Sequence, residues 1–278
     1  MAEEPAENIS GGAGGGGRAE AFPDGEPETR AEAVVDELGD MYWEKAYGGQ
    51  AAVECLVRTI LSQNTSDKAS QPAFDELLAR YGSKEDPVDG NPERGDLARA
   101  LADAERSELA ETISSAGLYN QKSKVIRQAA EWVLEEYGSA AAFDKYVTTG
   151  DPGEVRETLL SIRGVGPKTA DCVLLFSGGQ DGVFPVDTHV HRIARRMGLA
   201  PPDADHEGVR EQLEAAVPSE KCGFGHTSMI QFGREYCTAR EPACLEGPEA
   251  CPLYNQCDRI GIDELDGEAV DPADAVEP

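Results

Sequence analysis

A lysine that directly follows a glycine turn is the residue of this chain best placed for nucleophilic chemistry. The stretch Leu159–Ala170 reads LLSIRGVGPKTA: one apolar helix ends, Gly164 and Gly166 allow a tight turn, and Pro167 suits the start of the next helix. Lys168 follows in the first helical turn, where the positive end of the helix dipole disfavours the ammonium form. A neutral amine can act as a Schiff-base nucleophile. An ordinary helical corner is the alternative interpretation of the glycine turn alone.

A carboxylate follows Lys168 nineteen residues later, after a glycine-rich loop. Asp187 lies in the sequence Val-Asp-Thr-His, directly before another helical pattern. An isolated aspartate at this position often caps the helix, because its side chain accepts from the first free backbone N–H groups. The same carboxylate could also face the lysine. From the residues alone, both roles remain open.

Four of the seven cysteines lie in a short segment near the C-terminus. Cys237, Cys244, Cys251 and Cys257 are separated by six, six and five residues. In an intracellular chain, such a group indicates metal ligation before disulfide bonds. Four thiolates from a short segment can hold a 4Fe–4S cluster. Zinc is the alternative, but zinc sites usually contain a close pair of cysteines, which this spacing lacks.

Three more motifs accompany these groups: LSQNTSD at Leu61–Asp67, GLYNQK at Gly117–Lys122 and MIQFGR at Met229–Arg234. Together with the glycine turn, the lysine and Val-Asp-Thr-His, they resemble the endonuclease III family of helix-hairpin-helix DNA glycosylases. The resemblance extends over about residues 30–260. The cysteine spacing departs from it: the family has six, two and five intervening residues, so this chain carries four extra residues within Leu245–Ala250.

The resemblance implies a role for each matching residue. Lys168 would be the nucleophile and Asp187 the essential carboxylate. Asn64, with Gln63 beside it, would fill the gap left by an extruded nucleotide, and Leu118 would wedge into the base stack. The four cysteines would hold a 4Fe–4S cluster. From their positions in or beside these motifs, the remaining expected DNA contacts are Lys122, Arg163, Gly164, Gly166, Thr188 and Arg192.

The activity implied by the resemblance is base excision followed by strand cleavage. Lys168 would attack C1′ of the damaged nucleotide, while Asp187 stabilises positive charge on the sugar or assists proton transfer. The base would depart, an imine would form, and β-elimination would break the strand on the 3′ side. The expected partner is double-stranded DNA with a damaged base or an abasic site. Oxidised pyrimidines are the expected substrate, and mismatched or methylated pyrimidines remain open.

The pattern of apolar residues predicts an all-α protein with about ten short helices. The resemblance implies two helical domains that flank a DNA-binding cleft. A six-helix barrel with the helix-hairpin-helix would occupy 45–180, and an iron–sulfur domain would combine 28–44 with 181–260. Segments 1–27 and 261–278 are expected to be tails, because they are acidic and rich in Gly or Pro. The predicted helices are Ala31–Tyr47, Ala51–Ser62, Lys68–Tyr81, Leu97–Ala102, Ser107–Ala116, Gln121–Tyr137, Val155–Ile162, Lys168–Ser177, Thr188–Met197, His206–Ala216 and Phe224–Cys237.

The net charge of −28 is unusual for a nucleic-acid enzyme. DNA affinity rests largely on Lys and Arg, so this charge argues against a polyanionic partner. The alternative is a halophilic host, in whose salty cytoplasm a dense acidic surface keeps proteins soluble. The sequence contains no secretory signal and no apolar run of about 20 residues, as a membrane helix requires. We expect a cytoplasmic, nucleoid-associated monomer without membrane contact.

Three other functions fit parts of the pattern. A monofunctional glycosylase would leave Lys168 without a covalent role and would form no trapped adduct with abasic DNA. A DNA-binding or redox module could retain the scaffold without catalysis, although both expected catalytic residues are present. An acidic protein with a zinc ribbon and no DNA partner would be colourless.

Overall fold

The structure, a computed structural model, describes residues 26–42, 48–82 and 95–275. Helices dominate these ranges, and the expected all-α class is confirmed. The expected N-terminal tail lies almost entirely outside the described residues. In the described ranges, no helix is long and apolar enough to cross a membrane.

The described residues divide into two units. One falls within Tyr47–Gln180, and the other combines parts of Met1–Ala46 and Asp181–Pro278. The helices of the first unit are α2 (Ala52–Ser62), α3 (Asp67–Tyr81), α4 (Leu97–Asp103), α5 (Arg106–Thr112), α6 (Tyr119–Tyr137), α7 (Ala140–Thr149), α8 (Pro152–Ser161) and α9 (Pro167–Val173). Helix α9 continues into a π-helical turn, Leu174–Gly178.

Helix α2 is the centre of the first unit. Every residue from Ala52 to Leu61 except Glu54 is buried. A helix that is apolar around most of its circumference must be surrounded by other elements. Helices α3, α6, α7 and α9 pack against it. The core of this unit therefore places the start of α9 beside the central helix.

Helix α7 was not predicted from the sequence. Ser139 caps it by accepting a hydrogen bond from the backbone N–H of Ala142. Only Phe143 and Val147 are buried, one turn apart, so the apolar pattern is too short to indicate a helix. Helix α8 begins earlier than predicted because Asp151 caps it and Pro152 occupies its first position.

The second unit is built on α1 (Arg30–Gly39), α10 (Thr188–Met197), α11 (His206–Ala216) and α12 (Cys222–Glu235). Helix α12 packs against α1 and α10, and α11 contacts the same two helices. Leu38, Phe184, Ile193, Leu213 and Phe224 are fully or almost fully buried in the shared core. The cysteine segment follows α12 and consists of short 3-10 turns.

The segment expected as a C-terminal tail is ordered through Ala275. Strand β1 (Ile262–Asp263) pairs antiparallel with β2 (Glu268–Ala269). Asp271 then accepts two hydrogen bonds of 2.8 Å from the buried Arg195 of α10. These bonds lower the pKa of the Asp271 carboxyl. Asp271 thus neutralises a buried guanidinium, a pairing that composition alone does not reveal.

Candidate active site and nucleic-acid interface

The turn between α8 and α9 requires glycine at one of its two glycine positions. Gly164 has a φ of +89°, in the left-handed region, and a Cβ there would lie 2.7 Å from Cγ1 of Val125 on α6. Gly166 differs: its φ is −102°, and a Cβ would meet nothing within 4 Å. The turn is thus packed tightly against α6 on one side and open at Gly166.

Lys168 occupies the second position of α9, directly after Pro167, and its side chain is half-buried. Helix α9 packs against the central helix α2, which carries Cys55. Burial raises the pKa of the Cys55 thiol to about 12, and the positive charge of Lys168 lowers the same pKa. The structure therefore places the amine where the sequence predicted it, in the first turn of the helix that follows the glycine turn.

Asp171 lies one turn after Lys168 and is 1% exposed. At this position a carboxylate could pair with the lysine or lie at a DNA-facing rim. Its carboxylate accepts hydrogen bonds from Nε and Nη2 of Arg156, at 2.6 and 3.4 Å. Because this ion pair is buried, Asp171 braces α9 against α8 and is not a rim residue.

Asp187 is the N-cap of α10 in the second unit. Its Oδ1 accepts from the backbone N–H groups of His189 and Val190, at 2.8 and 2.9 Å. The side chain is half-buried, and residues 183–186 before it are buried. The capping role considered from the sequence is therefore present. It fixes the position of the carboxylate and is compatible with chemistry at the same group.

Two loops of the first unit carry the residues expected to enter the DNA stack. Asn64 and Leu118 both have left-handed backbones, with φ of 51° and 46°. Asn64 is exposed, and the Leu118 side chain is 55% exposed. Gln63 has a different environment: its Nε2 donates to the carbonyl of Gly164 and to Oγ1 of Thr169. Gln63 ties its loop to the glycine turn, and Asn64 is the residue presented outward.

Two expected DNA contacts are directed into the protein. Lys122 is 3% exposed, and burial lowers the pKa of its ammonium to about 8. Arg192 donates to the carbonyls of Cys237 and Gly233, and burial lowers its pKa too. Their nearness to the motifs in sequence suggested phosphate contacts, but their hydrogen bonds are intramolecular. Arg163 and Thr188 are exposed, as such contacts require.

The four clustered cysteines line one small cavity in the second unit. Nη1 of Arg196 lies 3.7 Å from Sγ of Cys237, and the backbone N–H of Arg259 donates to Sγ of Cys257 at 3.3 Å. Such donors stabilise a thiolate, whereas burial raises the pKa of the Cys251 and Cys257 thiols to about 11 and about 12. The four extra residues between Cys244 and Cys251 are absorbed by two 3-10 turns joined at Gly247. The longer gap therefore does not separate the cysteines.

Among the described residues, no three His, Cys, Asp or Glu side chains could hold a single metal ion together. Zinc–sulfur bonds of about 2.3 Å require the sulfurs to be nearly in contact. A 4Fe–4S cluster takes one thiolate on each iron, so its ligands stand further apart. The common cavity of the four cysteines and the two N–H donors are compatible with a group held by four thiolates.

The helical fold, the glycine turn and the lysine in the first turn of α9 are features of a DNA-repair glycosylase. A family model described as the HhH-GPD superfamily of base excision DNA repair proteins matches residues 57–219, and the chain belongs to this superfamily. Within it, the chain is an endonuclease III-like DNA glycosylase.

Individual relatives support that placement. Endonuclease III of Thermotoga maritima is 31% identical over 203 residues, which cover 73% of this chain and 81% of that protein. Endonuclease III of Bacillus subtilis is 30% identical over 228 residues, covering 81% and 90%. A solved structure of a trapped covalent intermediate of endonuclease III with DNA aligns with a TM-score of 0.65 at 25% identity. It covers 83% of this chain and 96% of that one.

Proposed function

We propose that this glycosylase removes oxidised pyrimidines from double-stranded DNA and then cleaves the strand through an imine on Lys168. The observation that carries the proposal is the position of Lys168, in the first turn of α9 beside a glycine turn packed against α6. A similar endonuclease III has been trapped in a covalent intermediate with DNA, which supports a covalent route here.

Each residue has a defined part in the proposed mechanism. The open backbone at Gly166 and the N–H groups at the start of α9 approach a DNA phosphate. Asn64 and Leu118 take the place of the extruded nucleotide. The Lys168 amine attacks C1′, and the base leaves as the C1′–N bond breaks. The capped carboxylate of Asp187 stabilises positive charge on the sugar. The C1′–O4′ bond then breaks as the nitrogen lone pair forms the imine, and the proton released from the nitrogen goes to O4′. The imine acidifies the C2′ hydrogen, and its loss to solvent drives β-elimination, which breaks the C3′–O bond and expels the 3′ phosphate.

The two glycines of the turn provide a matched pair of variants. Gly164→Ala forces a left-handed alanine against Val125, so we expect a loss of about 3 kcal/mol in the free energy of unfolding. Gly166→Ala should change stability by less than about 0.5 kcal/mol, because its methyl group meets open space. It should nevertheless weaken DNA binding roughly tenfold by blocking close backbone approach.

Chemical denaturation and binding to an abasic duplex measure the two effects. Adding Val125→Ala to Gly164→Ala should restore part of the lost stability, because it removes the clashing methyl groups. Unchanged DNA affinity in Gly166→Ala would contradict the assignment of this turn to phosphate binding.

The substrate is tested with duplexes that differ in one base. The enzyme is incubated with duplexes that contain thymine glycol, uracil, a T·G mismatch, 5-methylcytosine or no damage. The buffer contains molar KCl, because the chain has a net charge of −28. The proposal predicts release of thymine glycol with strand cleavage. Release of a base without cleavage would identify a monofunctional glycosylase. Binding without release from any duplex would indicate a non-catalytic DNA-binding protein.

We also propose a 4Fe–4S cluster held by Cys237, Cys244, Cys251 and Cys257. When bound, it would crosslink the segment after α12. Around it, Arg192 fastens the carbonyl of Cys237 to α10. Arg196 donates to the carbonyls of Thr238 and Ala239, at 2.5 and 2.6 Å. The protein part of the site is thus organised by two arginines of one helix.

Cys251→Ser is expected to remove the broad absorption at about 400 nm and the about four irons per chain that a 4Fe–4S protein shows. The matched control is Cys222→Ser, a buried cysteine of the same unit whose thiol donates to the carbonyl of Val217. Absorption spectra and iron analysis after anaerobic purification make the comparison. A colourless wild-type protein with one zinc per chain would contradict the cluster.

A further inference from the structure

A buried lysine joins the two loops that present Asn64 and Leu118. Nζ of Lys122 donates to the carbonyl of Leu61 at 2.7 Å and to the carbonyl of Ala116 at 2.9 Å. It also donates to Oγ1 of Thr65 at 2.6 Å. Leu61 and Thr65 lie on either side of Asn64 in the sequence, and Ala116 lies two residues before Leu118. One ammonium therefore fastens both loops.

Thr65 makes the connection reciprocal. Its hydroxyl accepts from Lys122 and donates to the carbonyl of Ala116 at 2.6 Å. The lysine, the threonine and the two backbone carbonyls form a closed network within the first unit. We call this network of Lys122, Thr65 and the carbonyls of Leu61 and Ala116 the loop clamp.

The loop clamp stands beside unusual backbone conformations. Among the described residues, only Asn64, Leu118 and Arg259 are non-glycine residues with positive φ. Two of the three are in the loops that the loop clamp joins. A left-handed backbone costs free energy in any residue with a Cβ, so it persists only where the surroundings hold it.

Stability alone gives a poor reason for a lysine at this position. Burying an ammonium costs more than burying an apolar side chain of the same length, and all three acceptors here are uncharged oxygens. A methionine would fill the same space without that cost. What the ammonium adds is three directed hydrogen bonds that fix two loops together.

We propose that Lys122 is a positioning residue that holds Asn64 and Leu118 in the conformation in which they enter the DNA stack. It acts on base extrusion and not on the bond changes at C1′. This inference rests on the proposed glycosylase function, since it assigns the two loops to DNA insertion.

Hydrogen exchange of the free protein tests the loop clamp without DNA. Lys122→Met removes the three bonds, and Thr65→Val removes the hydroxyl link while keeping the side-chain shape. The control is Lys145→Met, which removes an exposed lysine of α7 in the same unit. We expect both clamp variants to exchange about tenfold faster than the control in segments 61–65 and 114–120, with the rest of the unit unchanged. Unchanged exchange in both segments would overturn the loop clamp.

Excision from two duplexes tests the role in extrusion. In one duplex the lesion is paired, and in the other it lies opposite a gap, so that extrusion costs less. We expect Lys122→Met to excise the paired lesion about tenfold more slowly than the control and the unpaired lesion at nearly the same rate. The variant should add little to Leu118→Ala, because both act on one step. Equal slowing on both duplexes would overturn this role.

The two experiments separate this inference from the proposed function. Wild-type protein that excises no lesion would refute the proposed function, while the exchange result would still decide the loop clamp. Insertion is then followed with 2-aminopurine beside an abasic site, whose fluorescence rises when the base unstacks. Wild type and Lys145→Met should raise it, and Lys122→Met should not. A rise equal in all three proteins would overturn the inference.

Discussion

Lys168→Ala is expected to lower strand cleavage at an abasic site by at least about 10³-fold, because no amine remains to form the imine. DNA binding should fall far less, since the glycine turn and the two insertion loops are unchanged. Gel electrophoresis of a labelled abasic duplex measures cleavage, and a binding titration on the same duplex measures affinity.

Lys168→Arg separates the nucleophile from its charge. A guanidinium keeps the positive charge but does not form an imine, so this variant should bind DNA as the wild type does and still fail to cleave. Substantial cleavage by either variant would mean that Lys168 is not the nucleophile. If base release continued at the wild-type rate in Lys168→Ala, the lysine would serve strand cleavage alone.

Asp187→Asn is expected to lower base excision by about 10²-fold while leaving stability nearly unchanged. The asparagine carbonyl can still accept from the backbone N–H groups of His189 and Val190, so α10 keeps its cap. The negative charge is lost, and with it the stabilisation of positive charge on the sugar. Single-turnover excision and thermal unfolding of the same preparation measure the two properties.

Asp187→Ala provides the second half of this comparison. It should lose the same activity and, in addition, about 1 kcal/mol of stability, because the cap is removed. If Asp187→Asn excised bases at the wild-type rate, the carboxylate would be only a helix cap. The pair therefore distinguishes the two roles that the sequence left open.

Local sequence rules were sufficient for the central features of the site. Two glycines, a proline and a lysine in fixed order determine a helix end, a turn and a helix start, and each of these depends only on neighbouring residues. The structure has this arrangement, with Lys168 in the first turn of α9. Thiols within a short segment can similarly reach one cavity without a long-range constraint.

Other features depend on contacts far apart in sequence. A lysine beside a DNA-binding motif suggested a phosphate contact, but Lys122 is buried and donates to the carbonyls of Leu61 and Ala116. Arg192 donates to the carbonyl of Cys237 within the protein. The acidic C-terminal segment is ordered, and its Asp271 pairs with Arg195. None of these pairings follows from local periodicity or composition.

Mapping the covalent adduct to a single residue tests the lysine mechanism without relying on a variant. The enzyme is incubated with a thymine glycol duplex, the imine is reduced with borohydride, and the digested protein is analysed by mass spectrometry. We expect one sugar-modified amine, at Lys168, in a peptide that begins at Gly164. An adduct on another amine, or no adduct in folded, DNA-bound protein that releases the base, would contradict the lysine mechanism.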